Sequence, residues 1–383
     1  MAHLTKPAAY DIKDSNIALL GSDLEKRVRE HAGDTESAWT DAGTSLGLQI
    51  WRIEKLHLLP WPADRAGFFY DGDSYIVLHT YKKTPKAESF SYDLHFWLGE
   101  NTTQDEAGTA AYKTVELDDH LHGKPVQYRE VQGYETPRFI SYFPKLVILK
   151  GGVATGFHHV SAPPPLNIKK LYRITHTRVS EGRSHLVVRE VAAQAASLME
   201  GDTYVLDKGS HILQFNTKSS VGQEKYRAAE FVQSLVSQRQ SQCEVTVYDE
   251  GSSGAGSFLA EFGLGTQLRP SEIKPVGPIA LFLLSDASGR IVFKKIAQAN
   301  RASLSSDDVF LVDLSSNDTY PAIYIWIGRK ASLNEKRLAL HYAQVYLHDK
   351  AKELSNVLVP LVSVPLIKME EGSETDTFAQ AFA

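Results

Sequence analysis

Cysteine and long apolar runs are scarce in this sequence. One of its 383 residues is cysteine, Cys243, so no disulfide can form within the chain, and this favours a reducing compartment. The aliphatic run at residues 279–284 is far shorter than the roughly 20 residues that a membrane-spanning helix needs. Residues 1–10 lack the apolar core of a secretory signal. These absences predict a cytoplasmic protein.

Motifs for catalysis are also missing. The sequence contains no Gly-x-Ser-x-Gly elbow, phosphate-binding loop or His-Glu-x-x-His pair. His158 and His159 stand in a linker and are more typical of a solvated pair than of a metal site. The net charge of −5 gives no reason to expect nucleic acid as a partner. We therefore predict a protein that is not an enzyme and does not bind nucleic acid.

One pattern occurs three times along the chain. It begins with an acidic residue that opens a β-rich run, at residues 72–78, 201–206 and 307–312. A strand with one large aromatic residue follows, and nine residues after each aromatic stands a glutamate. These pairs are Trp97 and Glu106, Phe215 and Glu224, and Trp326 and Glu335. Each unit closes with two phenylalanines four apart, which mark one face of a short helix: Phe139/Phe143, Phe258/Phe262 and Phe378/Phe382.

The repeat predicts an α+β fold of three modules, each a mixed five-stranded sheet between one long and one short helix. We place the repeats at residues 48–150, 169–262 and 279–383, with linkers at 151–168 and 263–278. Residues 1–47 are an extension with a short helix near 23–32, and its Trp39 could dock on a neighbouring module. The aromatic-to-glutamate distance is constant, whereas the acid-to-aromatic distance varies. The glutamate should therefore return beside the aspartate if the two strands are neighbours.

The stretch 103–121 reads as a long helix. Thr103 and Glu106 form a capping box at its start. One face carries the small and apolar residues expected to pack on a sheet: Ala107, Ala110, Ala111, Thr114, Leu117 and Leu121. A second stripe lies away from that face and consists of Gly108, Tyr112, Val115 and Asp119. A helix that buries one face on its own sheet has no need of this second stripe.

An aspartate and a glutamate brought together in each repeat indicate a cation. Carboxylates and backbone carbonyls are hard oxygen ligands, which suit calcium. Alternatively, each aspartate only starts a strand, and each glutamate lies at a helix N-terminus that the helix dipole favours. The same pair in three repeats makes calcium the better interpretation.

Basic residues gather around the first linker. A cluster of this kind can bind anionic lipid headgroups, although an ordinary solvated surface explains it as well. Its members are Lys145, Lys150, Lys169, Lys170, Arg173 and Arg178.

Several segments of the first repeat resemble the gelsolin family. They are Leu-Gln-Ile-Trp-Arg-Ile-Glu at 48–54, Tyr-Asp-Gly-Asp-Ser-Tyr-Ile-Val-Leu at 70–78, Gln-Asp-Glu at 104–106, Thr-Val-Glu-Leu-Asp-Asp at 114–119, Val-Gln-Gly at 131–133 and Gly-Gly-Val-Ala-Thr-Gly-Phe at 151–157. The resemblance covers about residues 45–383, and with three modules it is strongest to the short actin-severing members. It implies a protein of the cytoplasm and cytoskeleton, monomeric when free, that severs actin filaments in a calcium-dependent way and caps their barbed ends. Nucleation of filaments is a further activity that the resemblance suggests. Capping without severing is the alternative.

The resemblance also implies roles for particular residues. In repeat 1, an internal calcium site would use the Gly72 carbonyl, Asp73, Glu106 and the Val153 carbonyl. A second calcium, shared with actin, would sit on Asp118 and the carbonyls of Gly123 and Pro125. Repeats 2 and 3 offer the corresponding residues Gly201, Asp202, Glu224, Asp307, Asp308 and Glu335. The second helix stripe would insert into actin, and phosphoinositides are candidate ligands of the basic cluster.

Overall fold

The computed structural model describes residues 36–152, 168–178, 184–239, 243–270, 279–316, 321–353, 364–380 and 382. The predicted helix near 23–32, the linker histidines and Val153 lie outside these residues. The strands are β1 Gly47–Glu54, β2 His57–Pro60, β3 Phe68–Tyr70, β4 Ser74–Tyr81, β5 Ser91–Leu98, β6 Val126–Val131, β7 Lys145–Leu149, β8 Lys170–Arg178, β9 Ser184–Val191, β10 Thr203–Asp207, β11 His211–Asn216, β12 Glu244–Asp249, β13 Ala280–Ser285, β14 Val292–Ile296, β15 Val309–Asp313, β16 Ile323–Ile327 and β17 Leu366–Glu370. The helices are α1 Gln104–His120, α2 Pro137–Ser141, α3 Gly222–Gln238, α4 Ala255–Ala260, α5 Leu333–Glu353 and α6 Asp376–Gln380.

Each repeat contains the predicted mixed sheet of five strands. The strand orders are β2-β1-β4-β5-β6 in repeat 1, β9-β8-β10-β11-β12 in repeat 2 and β14-β13-β15-β16-β17 in repeat 3. In every repeat the strand that follows the long helix pairs in parallel with the strand that precedes it, and the other pairs are antiparallel. The α+β prediction is therefore confirmed, whereas the boundaries between the repeats stay a prediction.

The conserved spacing of the repeat reflects one strand register. The aromatic residue of the strand before the long helix (β5, β11 or β16) lies opposite an aromatic residue of the antiparallel neighbour strand in all three repeats. The pairs are Tyr75 with Trp97, Tyr204 with Phe215, and Phe310 with Trp326. Such cross-strand aromatic pairs stabilise a sheet and fix its register.

The long and short helices cover opposite faces of each sheet. In repeat 1, Ala110 and Leu117 of α1 pack on Leu94 in one buried cluster, and Phe139 of α2 packs near Trp97 in another. The predicted phenylalanine pairs straddle the ends of the short helices. Their ring centroids are 5.2 Å apart for Phe139/Phe143, 5.4 Å for Phe258/Phe262 and 5.3 Å for Phe378/Phe382.

Backbone pairing joins the repeats, which the sequence did not predict. Strand β6 of repeat 1 and β17 of repeat 3 pair antiparallel and create a ten-stranded sheet, with Ile367 opposite Tyr128. Strand β7 of repeat 1 pairs in parallel with β9 of repeat 2 and, together with β3, extends that repeat to seven strands. Arg189 of β9 also binds Glu135 of repeat 1, with Nη2 and Oε2 2.8 Å apart.

Residues 36–46 form a strap that crosses the long helix α1. Trp39 is fully buried, its ring meets that of Trp51 edge-on at 5.1 Å, and its indole Nε1 donates a 2.7 Å hydrogen bond to Glu116. Glu36 accepts a 2.7 Å hydrogen bond from Lys113, which also binds Glu116. The expectation that Trp39 docks on a neighbouring module is confirmed.

Among the described residues, none of the helices is long and apolar enough to cross a membrane.

Candidate functional site

The acidic pair of repeat 1 lies where β4 begins and α1 begins. Asp73 is fully buried, accepts a 3.2 Å hydrogen bond from the Tyr75 hydroxyl and lies 3.7 Å from Arg52 Nη1. Glu106 follows the cap residue Thr103, whose hydroxyl accepts from the Glu106 amide. The Thr102 hydroxyl lies 3.4 Å from Glu106 Oε2 and 2.8 Å from the hydroxyl of Ser74. Two hydroxyls thus connect the glutamate to the residue next to the aspartate.

The chain passes very close to the Asp73 carboxylate. A Cβ atom added at Gly152 would stand 2.4 Å from Asp73 Oδ1, so only glycine fits there. The Gly72 amide donates a 2.7 Å hydrogen bond to the Gly151 carbonyl, which holds residues 151 and 152 beside the start of β4. Carbonyl groups of the 151–152 backbone are therefore held near Asp73.

The three aspartates occupy the same backbone position. The amide two residues after each conserved aromatic donates to the aspartate carbonyl, at 3.1 Å from Gly99 to Asp73, 3.4 Å from Thr217 to Asp202 and 3.0 Å from Gly328 to Asp308. The two strands are neighbours in each repeat, as the spacing required. A common aspartate position is thus established, whereas its use as a metal ligand stays a prediction.

The side chains differ between the repeats. In repeat 2, Arg173 Nε lies 2.5 Å from Asp202 Oδ2, and Glu224 accepts a 3.0 Å hydrogen bond from the Val221 amide. Burial raises the pKa of Asp202, although Arg173 opposes the rise. An ion at this site would compete with Arg173 for the aspartate.

In repeat 3, both carboxylate oxygens of Glu335 accept 2.8 Å hydrogen bonds, from the amides of Asp286 and Ser332. Asp308 is half-buried, and the exposed Asp307 lies 3.8 Å from Lys330 Nζ. Gly201, which precedes Asp202 in repeat 2, has a positive φ of 96°. Asp307, which precedes Asp308 in repeat 3, does not have a positive φ. The three sites are therefore not equivalent.

Asp118 lies at the joint between repeats 1 and 3. It is buried at the end of α1, and its Oδ2 is 3.8 Å from Nζ of Lys368 on β17. Its Oδ1 is buried and accepts no hydrogen bond from the described residues. Burial raises the pKa of the Asp118 carboxyl to about 6, with Asp119 and Glu370 adding to the rise and Lys368 opposing it. An ionised Asp118 is thus poorly compensated in this arrangement.

The predicted surface stripe of α1 is accessible. Gly108 and Tyr112 are exposed, Tyr112 by 42%, and Val115 and Asp119 are half-buried. The opposite face of the helix is buried, as predicted, at Ala110 and Leu117. The wheel prediction of exposure is confirmed, and the role of the stripe stays a prediction. The strap described above contacts Lys113 and Glu116, next to this stripe.

Oxygen ligands in repeat 1 fit calcium. No group of three or more His, Cys, Asp or Glu side chains converges among the described residues, so a metal would need backbone carbonyls as well. Asp73 lies beside the 151–152 backbone, and Asp118 has a buried oxygen that accepts no hydrogen bond from the described residues, just before the segment that contains Gly123 and Pro125. Calcium accepts such mixed carboxylate and carbonyl sets.

Replacement of Asp73 by Asn tests the internal site of repeat 1. Calcium that binds only the native state adds stability, and the gain grows with the logarithm of the ratio of free calcium to the dissociation constant. We expect Asp73→Asn to lower the melting temperature much more in calcium than in chelator. The matched control is Asp207→Asn, which breaks a buried ion pair with Arg239 in repeat 2 and should cost the same in both buffers. Equal shifts for Asp73→Asn in the two buffers would exclude a metal role for this aspartate.

Most residues of the described basic cluster are bound by other residues of the same chain. Arg173 pairs with Asp202, Lys170 Nζ is 3.4 Å from Glu190, and Lys169 Nζ donates to the Glu261 carbonyl. Lys145 lies over the rings of Phe68 and Phe231, and burial lowers its pKa. Lys150 is exposed, and the side chain of Arg178 lies outside the described residues. Lipid binding here stays a prediction.

Three copies of one α+β unit, each with an aspartate where a strand begins and a glutamate where the long helix begins, define a modular three-repeat protein. A family model described as "Gelsolin repeat" matches residues 65–140, 185–256 and 292–378. The chain belongs to the gelsolin family, whose members regulate actin without catalysing a reaction. The chain is therefore not an enzyme.

Three relatives match over most of their length. The chain is 41% identical to gelsolin-like protein 1 of Lumbricus terrestris, over 99% of both chains. It is 38% identical to severin of Echinococcus granulosus, over 91% of this chain and 92% of the relative. It is 35% identical to actin depolymerising venom protein gelsolin 1 of Platymeris rhadamanthus, over 80% and 83%.

Proposed function

We propose that this protein binds actin, severs its filaments and caps their barbed ends when calcium is present. The observation that carries the proposal is on α1, where an accessible stripe of Gly108, Tyr112 and Val115 runs toward the buried carboxylate of Asp118. A partly apolar helix face can enter a groove of a partner protein. Severin and the actin depolymerising venom protein, both similar along most of the chain, support actin as that partner.

Calcium dependence is supported by the residues around the joint between repeats 1 and 3. Asp118 would hold an ion together with the Gly123 and Pro125 carbonyls, and Asp73 and Glu106 would hold another with the Gly72 carbonyl. When bound, calcium would supply the positive charge that lets these buried carboxylates remain ionised. Lys368 provides only part of that charge for Asp118 at 3.8 Å. Lys368 belongs to β17, the strand that holds repeat 3 on repeat 1. An ion that binds Asp118 would therefore compete with a residue of that joint.

Severing, rather than capping alone, is supported by the presence of further modules on the same chain. A module that binds the side of the filament keeps the α1 stripe at a high effective concentration near the contact between actin subunits, which the stripe must enter to sever the filament. Repeats 2 and 3 are attached to repeat 1 through β9 and β17 and can supply such a hold.

Microscopy of surface-bound fluorescent filaments tests the proposal. We expect substoichiometric protein to break filaments along their length in calcium and to stop growth at one end, and to leave filaments intact in chelator. Arrested growth without breaks would establish capping alone. Filaments that neither break nor stop growing in calcium would refute the proposed function.

A further inference from the structure

Strand β12 of repeat 2 occupies the position of β6 and β17 in the other repeats. The residue that pairs with the conserved aromatic is Glu130 in β6, Tyr248 in β12 and Met369 in β17. Strands β6 and β17 pair with each other. Strand β12 is at the edge of the seven-stranded sheet, and its outer side pairs with none of the described strands. Among the described residues, the edge of β12 in repeat 2 is therefore unpaired, whereas the equivalent edges of repeats 1 and 3 pair with each other.

The β6–β17 joint has nearly two-fold symmetry. Tyr128 and Ile367, which lie opposite each other, both stand two residues before the partner of the aromatic. On either side, Gln127 pairs with Lys368, and Arg129 with Leu366. The equivalent central residue of β12 is Thr246. The same register between two copies of β12 would place Thr246 opposite Thr246 and Val245 opposite Val247.

The backbone of β12 is oriented for this register. The amides of Glu244 and Glu250 donate inward, to the carbonyls of Ser210 and Asn216. Because peptide groups alternate along a strand, those of Val245 and Val247 point to the open edge. Val245 opposite Val247 is then a hydrogen-bonded pair on each side of the two-fold axis, and Thr246 opposite Thr246 is a non-hydrogen-bonded pair.

The side chains favour the same pairing. Val245 and Val247 are exposed by 40% and 53%. In the closed joint, the equivalents of Val245, Gln127 and Leu366, are buried, and those of Val247, Arg129 and Lys368, are half-buried. Repeat 2 thus carries two apolar residues at positions where the closed joint carries polar or charged ones on one or both strands. The Thr246-centred register places no like charges opposite each other, whereas one of the two registers shifted by a single residue places Glu244 opposite Asp249. An exposed edge with an uncharged centre is a template for pairing with another chain.

We propose that two copies of this chain associate through β12, with the strands antiparallel and Thr246 on the two-fold axis. The two seven-stranded sheets then form one sheet across the dimer. The partner is a second copy because the equivalent edges of this same chain already pair with each other in this register. The resemblance implies a monomer when the protein is free, and the open edge is the reason to propose a dimer instead.

Cysteine cross-linking of the full-length chain tests the register. Thr246→Cys is made together with Cys243→Ser, so that one thiol remains. Opposed Cα atoms of a non-hydrogen-bonded pair are about 4.5 Å apart, within the range of about 4.4–6.8 Å for a disulfide. The control is Val292→Cys in the same background, because Val292 is 38% exposed on β14, the edge strand of the other sheet. We expect Thr246→Cys to give a disulfide-linked dimer under mild oxidation at least ten times faster than the control.

Sedimentation velocity over a concentration series tests the association itself. We expect the wild-type chain to shift from monomer to dimer as its concentration rises. Val247→Lys should raise the dissociation constant at least tenfold, and Val292→Lys should leave it unchanged. A monomer throughout the series, equal cross-linking of the two cysteine variants, or equal effects of the two lysine variants would overturn the proposal.

Discussion

The Val115→Asp variant should fold normally and bind actin weakly. Val115 is half-buried on the accessible side of α1, away from Ala110 and Leu117. Changes at such surface positions usually alter the free energy of unfolding by less than about 0.5 kcal/mol, and a partly buried site costs somewhat more. In the complex, the aspartate would be driven into an apolar groove without a partner, at a cost on the order of 2–5 kcal/mol in binding. Affinity for monomeric actin, measured by fluorescence titration, should therefore fall by a factor of about 30 or more.

The equivalent helix of repeat 3 offers a control for this variant. Val345 is 41% exposed on α5, and Val345→Asp introduces the same charge on a long helix. It should leave actin affinity within about twofold of the wild type. If Val115→Asp unfolded the protein, Val115 would be a core residue. If it left both folding and affinity intact, α1 would not be the helix that enters actin.

The Trp39→Ala variant should lose more stability than any surface variant described above. Trp39 is fully buried against Trp51, and truncation of such a side chain costs about 3–5 kcal/mol because a cavity remains. Chemical denaturation followed by circular dichroism gives the free energy of unfolding. Actin affinity should fall as well, because the strap that carries Trp39 binds α1 at Lys113 and Glu116, next to the accessible stripe, and so holds the stripe in place.

Trp39→Phe separates packing from the hydrogen bond. Phenylalanine retains most of the apolar contact but cannot donate to Glu116, which Lys113 still neutralises at 3.0 Å. We expect a loss of about 1–2 kcal/mol, between the wild type and Trp39→Ala. A Trp39→Ala variant as stable as the wild type would show that the strap contributes nothing to the fold.

Local spacing predicted much of the fold and of the candidate site. The fixed distance from Trp97 to Glu106 works because an aromatic pair sets the strand register and a cap residue sets the start of the helix. The same logic located the aspartates and the phenylalanine pairs. These features depend on short stretches of chain, so their side chains carry the signal.

Contacts between distant parts of the chain could not be predicted in the same way, because no spacing in the sequence marks them. Glu116 looks like a solvated helix residue, yet it is buried because Trp39 and Lys113 reach it from the strap and from α1. The resemblance implies that Asp118 is an ion ligand, but nothing in the sequence shows that it is buried with Lys368 of β17, from repeat 3, at 3.8 Å. The strand pairs that join the repeats use backbone groups, which every sequence possesses. Their partners could therefore be identified only from the folded chain.

The place of β7 bears on how the protein is made. This strand belongs to repeat 1 in sequence but lies between β3 and β9 in the sheet of repeat 2. During synthesis β7 emerges before β8 and β9. Leu146 and Ile148 can pack on the core of repeat 1, whereas Val147, which packs in the core of repeat 2, must wait for strands not yet translated. The unit that folds on the ribosome is therefore larger than the unit that was duplicated. A chain halted after the first repeat would emerge with an unfinished sheet and an edge open to the wrong neighbour.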